Sequence, residues 1–135
     1  MNREKLKDII PALARKYKFR PAIVEKDYYL TIILNNIETG LSDKLVLKGG
    51  TLLNKIYFSY RRLSEDLDFV YSGGRILTSR SARSKAITPI REMMPRFLEL
   101  LDLRSKNPMG EGFNNSTQYF FDISYPSFLQ ERRKV

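Results

Sequence analysis

The sequence predicts the α/β (α+β) class, with a small mixed sheet and helices packed on it. Stretches with helical spacing of apolar residues alternate with short apolar runs typical of strands, and glycine and proline stand between them. The chain has 135 residues, of which 42% are hydrophobic, so it can bury a core. We therefore expect a single domain over residues 1–135, with a helical part at 1–40 and a core region at 44–125.

Two helices are predicted first. Pro21 is typical of a first helical position and Gly40 of a helix end, which together bound the second helix. Pro11 lies inside the pattern of the first helix and suggests either a late start or a kink. The apolar residues that recur at helical spacing in the first helix are Leu6, Ile9, Ile10, Leu13 and Tyr17.

Two strands, a short helix and a longer helix follow. The strands are predicted at Lys44–Lys48 and Leu67–Tyr71, with the short helix at 52–57 between them. Helical spacing then continues from residue 87 to residue 101. Within it, Thr88-Pro89 fits an N-cap and a first helical position, and Pro95 predicts a bend.

A loop and a final strand complete the predicted fold. The loop is expected at Asn107–Asn115, which is rich in Gly, Asn and Pro. Apolar and polar residues alternate over Gln118–Tyr125, and Pro126 ends the alternation. The resulting order of elements, α-α-β-α-β-α-β, is typical of a small sheet covered by helices.

The composition excludes several kinds of site. The chain contains no cysteine and no histidine, which rules out a disulfide scaffold, a thiolate or imidazole zinc site and a histidine-based hydrolase triad. Oxygen ligands would have to hold any metal, which favours Mg²⁺ or Mn²⁺. No apolar run reaches the length of a membrane span and the N-terminus lacks the pattern of a secretory signal, so we expect a cytoplasmic protein.

The net charge of +9 is unevenly distributed along the chain. Residues 1–26 carry eight Lys/Arg and three Asp/Glu, residues 27–78 carry six of each, and residues 79–135 carry ten and six. Basic flanks therefore surround a neutral middle. Such flanks attract polyanions such as nucleic acid, although solvated helix faces rich in Lys and Arg give the same composition.

A glycine turn lies between the first predicted strand and the short helix. In such a turn the backbone N–H groups of Gly49 and Gly50 face outward, and the helix N-terminus adds partial positive charge, which suits a phosphate. Thr51 and Lys55 are four residues apart and share a helix face near that end. The alternative is an ordinary tight turn with a solvated lysine, since the Walker A spacing is absent.

Three aspartates are candidate metal ligands. Asp66 and Asp68 are two residues apart, so on a strand they point to the same side, where two carboxylates can bind Mg²⁺. Asp122 lies in an apolar run predicted to be a strand, where an isolated carboxylate is costly unless it is paired or coordinated. The alternative to a metal-binding role is that Asp122 forms a structural ion pair with a Lys or Arg.

The combined motif resembles the signature of the AbiEii/AbiGii-type nucleotidyltransferase toxins, which belong to the DNA polymerase β-like nucleotidyltransferase superfamily. The stretch LVLKGGTLLNKIYFSYRRLSEDLDFV carries the likeness, with Leu63 where the family usually has an aromatic residue. The upstream Glu25-Lys26-Asp27-Tyr28 is similar to the element that precedes this core. The matching positions are Lys48, Gly49, Gly50, Thr51, Lys55, Arg62, Ser64, Glu65, Asp66 and Asp68.

The resemblance implies a minimal nucleotidyltransferase fold, an activity and a set of roles. The activity is transfer of an NMP from an NTP to a hydroxyl acceptor, for some relatives the 3′ end of tRNA, by the toxin of an abortive-infection toxin–antitoxin system with a cognate antitoxin. Asp66, Asp68 and Asp122 would be the catalytic and metal-binding carboxylates for Mg²⁺ or Mn²⁺. The implied nucleotide-binding residues are Gly49, Gly50, Thr51, Lys55, Arg62 and Ser64; for Arg62, bracing the turn by pairing with a carboxylate is an equal alternative to phosphate contact.

The length of the chain departs from the family pattern. Relatives usually continue into a C-terminal helical region, whereas this sequence ends at Val135, soon after the predicted third-carboxylate strand. The expectation is therefore a form that lacks this region. Two hypotheses follow: an active nucleotidyltransferase, or an inactive or truncated module of the same fold that binds nucleic acid or a protein partner through its basic surface.

Overall fold

The computed structural model describes residues 2–50, 63, 65–73, 79–113 and 118–129. Helices and small sheets alternate along these ranges, which confirms the α/β (α+β) class. The described strands form the pairs β1–β2, β3–β6 and β4–β5. The helices are α1 (Arg3–Tyr17), α2 (Pro21–Gly40) and α3 (Arg80–Leu100), and the strands are β1 (Leu45–Lys48), β2 (Asp68–Tyr71), β3 (Arg104–Ser105), β4 (Glu111–Phe113), β5 (Gln118–Phe120) and β6 (Ile123–Ser124).

The chain divides into two compact units. The first comprises Met1–Ile32, Leu47–Asp68 and Pro126–Val135, and the second comprises Ile33–Val46 and Phe69–Tyr125. Among the described helices, none combines the length and the apolar character that crossing a membrane requires.

Helix α1 begins earlier than Pro11 suggested. The Asn2 side chain accepts a hydrogen bond from the Glu4 N–H at 2.9 Å, so Asn2 is the N-cap and the helix runs through Pro11 to Tyr17. The expected late start is therefore wrong. Pro11 removes one N–H from the helix, and the capped first turn and the buried face supply enough stabilisation to continue past it.

The apolar residues of α1 lie on two different faces. Leu6, Ile10 and Ala14 are buried in the first unit. Ile9 and Leu13 remain exposed, although the helical spacing grouped them with the buried residues. The spacing identified the helix correctly, but the tertiary packing selected which apolar stripe is covered.

A buried carboxylate in the first turns of α2 fixes the segment after β6. Glu25 is 2% exposed, and its two oxygens accept hydrogen bonds from the Phe128 N–H at 2.5 Å and the Ser127 hydroxyl at 2.8 Å. One turn further along, the Tyr29 hydroxyl donates to the Pro126 carbonyl at 2.6 Å. Three hydrogen bonds thus hold residues 126–128 on α2, within the first unit.

Aromatic contacts complete the packing around this segment. The rings of Tyr29 and Phe128 stack with their centroids 6.1 Å apart and their planes at 16°. The Arg3 guanidinium lies 5.2 Å from the centroid of the Phe128 ring. Phe128 therefore has α1 and α2 as neighbours, which accounts for its 5% exposure.

In the second unit, the end of α2 lies close to α3. A Cβ atom at Gly40 would be 2.9 Å from the Phe97 ring, so only glycine allows the helices to approach this closely. The predicted start of α2 at Pro21 and its end at Gly40 are both confirmed. The buried apolar residues of this unit are Ile33, Ile37, Leu41, Ile90, Phe97, Leu98 and Leu103.

The start predicted for the long helix at 87–101, which is α3 in the structure, is wrong. Ser79 is the N-cap, and its hydroxyl oxygen accepts a hydrogen bond from the Ala82 N–H at 3.1 Å. Thr88 and Pro89 are inside the helix, and the Thr88 hydroxyl donates to the Ser84 carbonyl at 2.6 Å. A mid-helix threonine satisfies its hydroxyl in this way, so Thr-Pro does not require a helix start here. Pro95 also lies within α3.

The predicted strands are confirmed at different lengths. β1 and β2 occupy the expected stretches, each beginning one residue later than predicted. The strand expected over Gln118–Tyr125 is two short strands, β5 and β6, which pair with β4 and β3 respectively. β4 lies in the stretch expected to be a loop. The short helix expected at 52–57 falls outside the described residues.

We expect the Glu25 carboxylate to be a major contributor to the stability of the fold. Glu25→Leu leaves the Phe128 N–H and the Ser127 hydroxyl without their buried acceptor, at a cost of about 1–3 kcal/mol for each group. Glu25→Gln keeps an acceptor oxygen and should cost about 1 kcal/mol. Urea unfolding measures both values.

Glu38, on the exposed part of the same helix, provides the matched control. Glu38→Leu and Glu38→Gln should each change the free energy of unfolding by less than about 0.5 kcal/mol. Equal effects at Glu25 and Glu38 would show that the buried hydrogen bonds do not stabilise the fold.

Candidate functional site

The structure describes five of the predicted site residues. Gly49, Gly50, Asp66 and Asp68 belong to the first unit and Asp122 to the second. The other predicted residues, Thr51, Lys55, Arg62 and Ser64, lie outside the described residues. Their roles remain predictions.

Strands β1 and β2 run antiparallel and carry part of the site. The Ser72 N–H donates to the Lys44 carbonyl at 2.7 Å, while at the other end of the pair Asp68 lies beside Gly49. Lys44 is thus paired with a later residue of the β2 region than Gly49 is, which is the register of antiparallel strands. Exposed and half-buried residues alternate in both strands, and Lys48 and Asp68 are exposed.

The approach to β2 shows the same alternation. Asp66 and Asp68 are exposed, and Leu67 between them is half-buried. Asp66 precedes the first residue of β2, so the strand is shorter than the predicted one. The exposure pattern nevertheless agrees with the prediction that the two carboxylates face one side.

Gly49 and Asp68 are brought together by a backbone conformation that favours glycine. Gly49 has φ +82°, in the left-handed region that disfavours residues with a Cβ. A Cβ atom at this position would lie 3.0 Å from Asp68 Oδ2 and 3.7 Å from Asp68 Cβ. The glycine turn therefore makes room for the carboxylate, and the proximity expected between the turn and the second aspartate is present.

An ion pair connects α2 to the acidic stretch. Lys26 Nζ lies 3.8 Å from Glu65 Oε2, next to Asp66 in the chain. An exposed pair of this length adds little stability, but it places a cation at the residue that precedes Asp66. Sequence reasoning noticed Lys26 only through its place upstream of the motif and did not identify its partner, because the two residues are far apart in the chain.

Asp122 has a different environment from the one predicted. It lies between β5 and β6, outside both strands, and its side chain is 51% exposed. Asp122 Oδ2 is 3.4 Å from Lys106 Nζ. The expected position inside an apolar strand is therefore wrong, because the alternating run is interrupted here. The ion-pair alternative is present in the structure.

The Asn107 side chain fixes the backbone at Asp122. Its Oδ1 accepts hydrogen bonds from the Asp122 N–H at 2.8 Å and the Ser105 hydroxyl at 3.0 Å. Its Nδ2 donates to the Phe120 carbonyl at 2.9 Å. Sequence reasoning assigned Asn107 to a loop; the preference of asparagine for side-chain hydrogen bonds to backbone was the available signal.

The donor atoms fit a divalent cation such as Mg²⁺. Asp66 and Asp68 offer carboxylate oxygens, and an Asp68 oxygen lies beside the position that a side chain would take at Gly49. Among the described residues, no group of three or more acidic side chains is close enough together to hold a metal ion. Mg²⁺ commonly uses only one or two protein carboxylates and completes its shell with water and substrate phosphates, so two aspartates are sufficient.

One protein family matches the chain. Its model, described as nucleotidyl transferase AbiEii toxin of type IV TA systems, matches residues 32–132, which is more than half of the chain. This match confirms the resemblance inferred from the glycine turn and the acidic motif. No curated protein and no solved structure matches the chain closely enough to be counted as similar.

We expect Gly49→Ala to destabilise the fold through two separable effects. The left-handed φ costs about 1–2 kcal/mol for a residue with a Cβ, and the new methyl group contacts the Asp68 carboxylate. Asp68→Ala removes the second effect only. Gly49→Ala should therefore lower the free energy of unfolding less in the Asp68→Ala background than in the wild type.

Gly110 supplies the control, since it also has a positive φ, +73°, but faces Phe121. The cost of Gly110→Ala should be the same with and without Asp68→Ala, as expected for independent sites. Additive effects of Gly49→Ala and Asp68→Ala would contradict the close approach.

Proposed function

We propose that this chain, which belongs to the AbiEii nucleotidyltransferase toxin family of type IV toxin–antitoxin systems, transfers an NMP from an NTP to a hydroxyl group of RNA and releases pyrophosphate. The approach of Asp68 to the glycine turn is the observation that carries the proposal. It brings a carboxylate to a backbone stretch suited to phosphate, and phosphoryl-transfer enzymes combine these two elements.

The glycine turn is the proposed site of the nucleotide phosphates. Gly49 has no side chain of its own to keep phosphate oxygens from the N–H groups of Gly49 and Gly50, and the Asp68 carboxylate lies beside it. Charge supports the same role, since Lys48 is exposed at the end of β1. The further phosphate contacts that we propose come from Thr51, Lys55, Arg62 and Ser64.

Asp66 and Asp68 are the proposed ligands of Mg²⁺ or Mn²⁺. Both side chains are exposed, as ligands that receive a cation from solvent must be. When bound, such a cation neutralises triphosphate charge and favours in-line displacement at phosphorus. The position of Asp68 beside Gly49 would also place a bound cation next to the glycine turn, where we propose that the phosphates bind.

Asp122 is the proposed third carboxylate, with the role of accepting the proton of the attacking hydroxyl. Its exposure supports access to an acceptor. The competing role is structural, since Lys106 lies within 3.4 Å of the carboxylate. The hydrogen bond from the Asp122 N–H to Asn107 orients the residue in either case.

The acceptor and the protein partner follow from charge and family. The chain carries a net charge of +9 with basic flanks, which supports RNA as acceptor, and the 3′ end of tRNA is our specific proposal. Toxins of this family act in systems that include an antitoxin, so a cognate antitoxin is the proposed protein partner. Because NTP and tRNA are cytoplasmic, we place the reaction there.

The first test removes the charge of the proposed metal ligands. Asp66→Asn and Asp68→Asn should lower transfer of labelled NMP from each of the four NTPs to bulk RNA by at least about 100-fold. Retention of RNA should remain nearly unchanged. Mg²⁺ together with NTP should raise the melting temperature of the wild type but not that of Asp68→Asn.

Asp43→Asn is the control for the loss of an exposed negative charge, because Asp43 lies in the turn before β1. It should transfer label at the wild-type rate. A wild-type protein that binds RNA yet transfers no label from any NTP would favour the alternative of an inactive nucleic-acid-binding module.

The second test separates the two roles of Asp122. If Asp122 serves the chemistry, Asp122→Asn lowers transfer at least about 100-fold while Lys106→Met leaves it within about threefold of the wild type. If the carboxylate serves only the ion pair, the two substitutions have similar small effects on activity and on urea unfolding. The ratio of the two transfer rates decides between the roles.

A further inference from the structure

The β4–β5 hairpin presents two aromatic rings on one face. The strands pair antiparallel with Glu111 opposite Phe120 and Phe113 opposite Gln118. Since alternate residues of a strand share a face, these four side chains lie on the same side. Phe113 is 47% exposed and Phe120 is 54% exposed. The diagonal arrangement separates the two phenylalanines by about 7–8 Å at their Cα atoms.

The opposite face of the hairpin is fixed to α3. The Arg91 guanidinium lies 4.1 Å from the centroid of the Tyr119 ring, and Arg91 Nε donates to the Met109 carbonyl at 2.8 Å. Tyr119 also covers Gly112, where a Cβ atom would be 3.3 Å from the ring. These contacts fix the β4–β5 hairpin (the ribbon) to α3 through the face opposite the two phenylalanines. The exposed rings therefore lie on a strand pair that is held in place.

We propose that Phe113 and Phe120 form a stacking platform for the bases of single-stranded RNA. This inference rests on the proposed function, of which it specifies the acceptor side. Aromatic residues on a small sheet are a common means of binding unpaired bases, because every base offers a flat face to a ring. The net charge of +9 favours a polyanion as the occupant.

The polar neighbours of the rings favour bases over an apolar polypeptide. Glu111 and Gln118 share the face with the two phenylalanines, so the surface is not a continuous apolar patch. A carboxylate and an amide can hydrogen-bond the edges of bases that stack on the rings. The exposed Glu111 carboxylate repels phosphate, so the RNA backbone is expected to pass on the side away from it.

The test compares two short RNA strands of equal length, one normal and one in which the bases are replaced by abasic sites. Both carry the same phosphates, so only the normal strand can stack. The wild type should bind the normal strand about tenfold or more tightly than the abasic strand. Phe113→Ala/Phe120→Ala should lose most of this preference and leave affinity for the abasic strand unchanged. Fluorescence anisotropy measures all four affinities.

Exposed apolar residues on α3 provide the matched control. Met93 and Leu100 are 50% and 67% exposed, and Met93→Ala/Leu100→Ala should keep the preference for the normal strand. A second variant, Phe113→Leu/Phe120→Leu, keeps apolar side chains at both positions. It replaces the alanine variant in the test if that variant does not fold. It should also lose the preference, because leucine fills the surface without an aromatic face.

Three outcomes would overturn the platform. They are an equal loss of affinity for both strands, an unchanged preference in both phenylalanine variants, and a change of oligomeric state in those variants with unchanged RNA binding. The last would assign the face to protein contact. Transfer of labelled NMP by the wild type is measured separately: transfer without base preference overturns only the platform, and base preference without transfer overturns only the proposed reaction.

Discussion

The approach of Asp68 to Gly49 is the constraint on which the candidate site depends. β2 can bring its first carboxylate beside the end of β1 only if no side chain of the turn occupies that space, and Gly49, which has no Cβ atom, meets this requirement. One residue therefore serves both the left-handed backbone conformation after β1 and the placement of the acid. The glycine and the second aspartate of the motif therefore share a physical reason, since they are neighbours in space.

A second set of contacts holds the first unit together through α2. Glu25 uses both carboxylate oxygens to fix residues 127–128, and its neighbour Lys26 reaches Glu65 beside the proposed metal ligands. Consecutive residues of one helix thus contact segments that are distant in sequence. Burial of Glu25 would be costly without these donors, so the hydrogen bonds explain why a charged residue is tolerated there.

In the second unit, short strands and side-chain hydrogen bonds replace the single long strand that alternation predicted. Asn107 bonds to Ser105, Phe120 and Asp122, so it joins the stretches on either side of the hairpin. The interruption at Asp122 exposes its carboxylate and leaves the hairpin as a separate ribbon. The ribbon then presents its aromatic residues on one face.

The sequence by itself determined the fold class, β1, β2, the bounds of α2 and the family, because these depend on local spacing, on turn residues and on a motif of fixed order. Tertiary structure decided which stripe of α1 is exposed and which residue pairs with Asp122, because both depend on contacts between residues far apart in the chain. The start of α3 depends instead on a local cap, in which the Ser79 hydroxyl oxygen accepts a hydrogen bond from the Ala82 N–H. Periodicity shows that a residue lies on a face of an element, but the packing of other segments decides whether that face is covered.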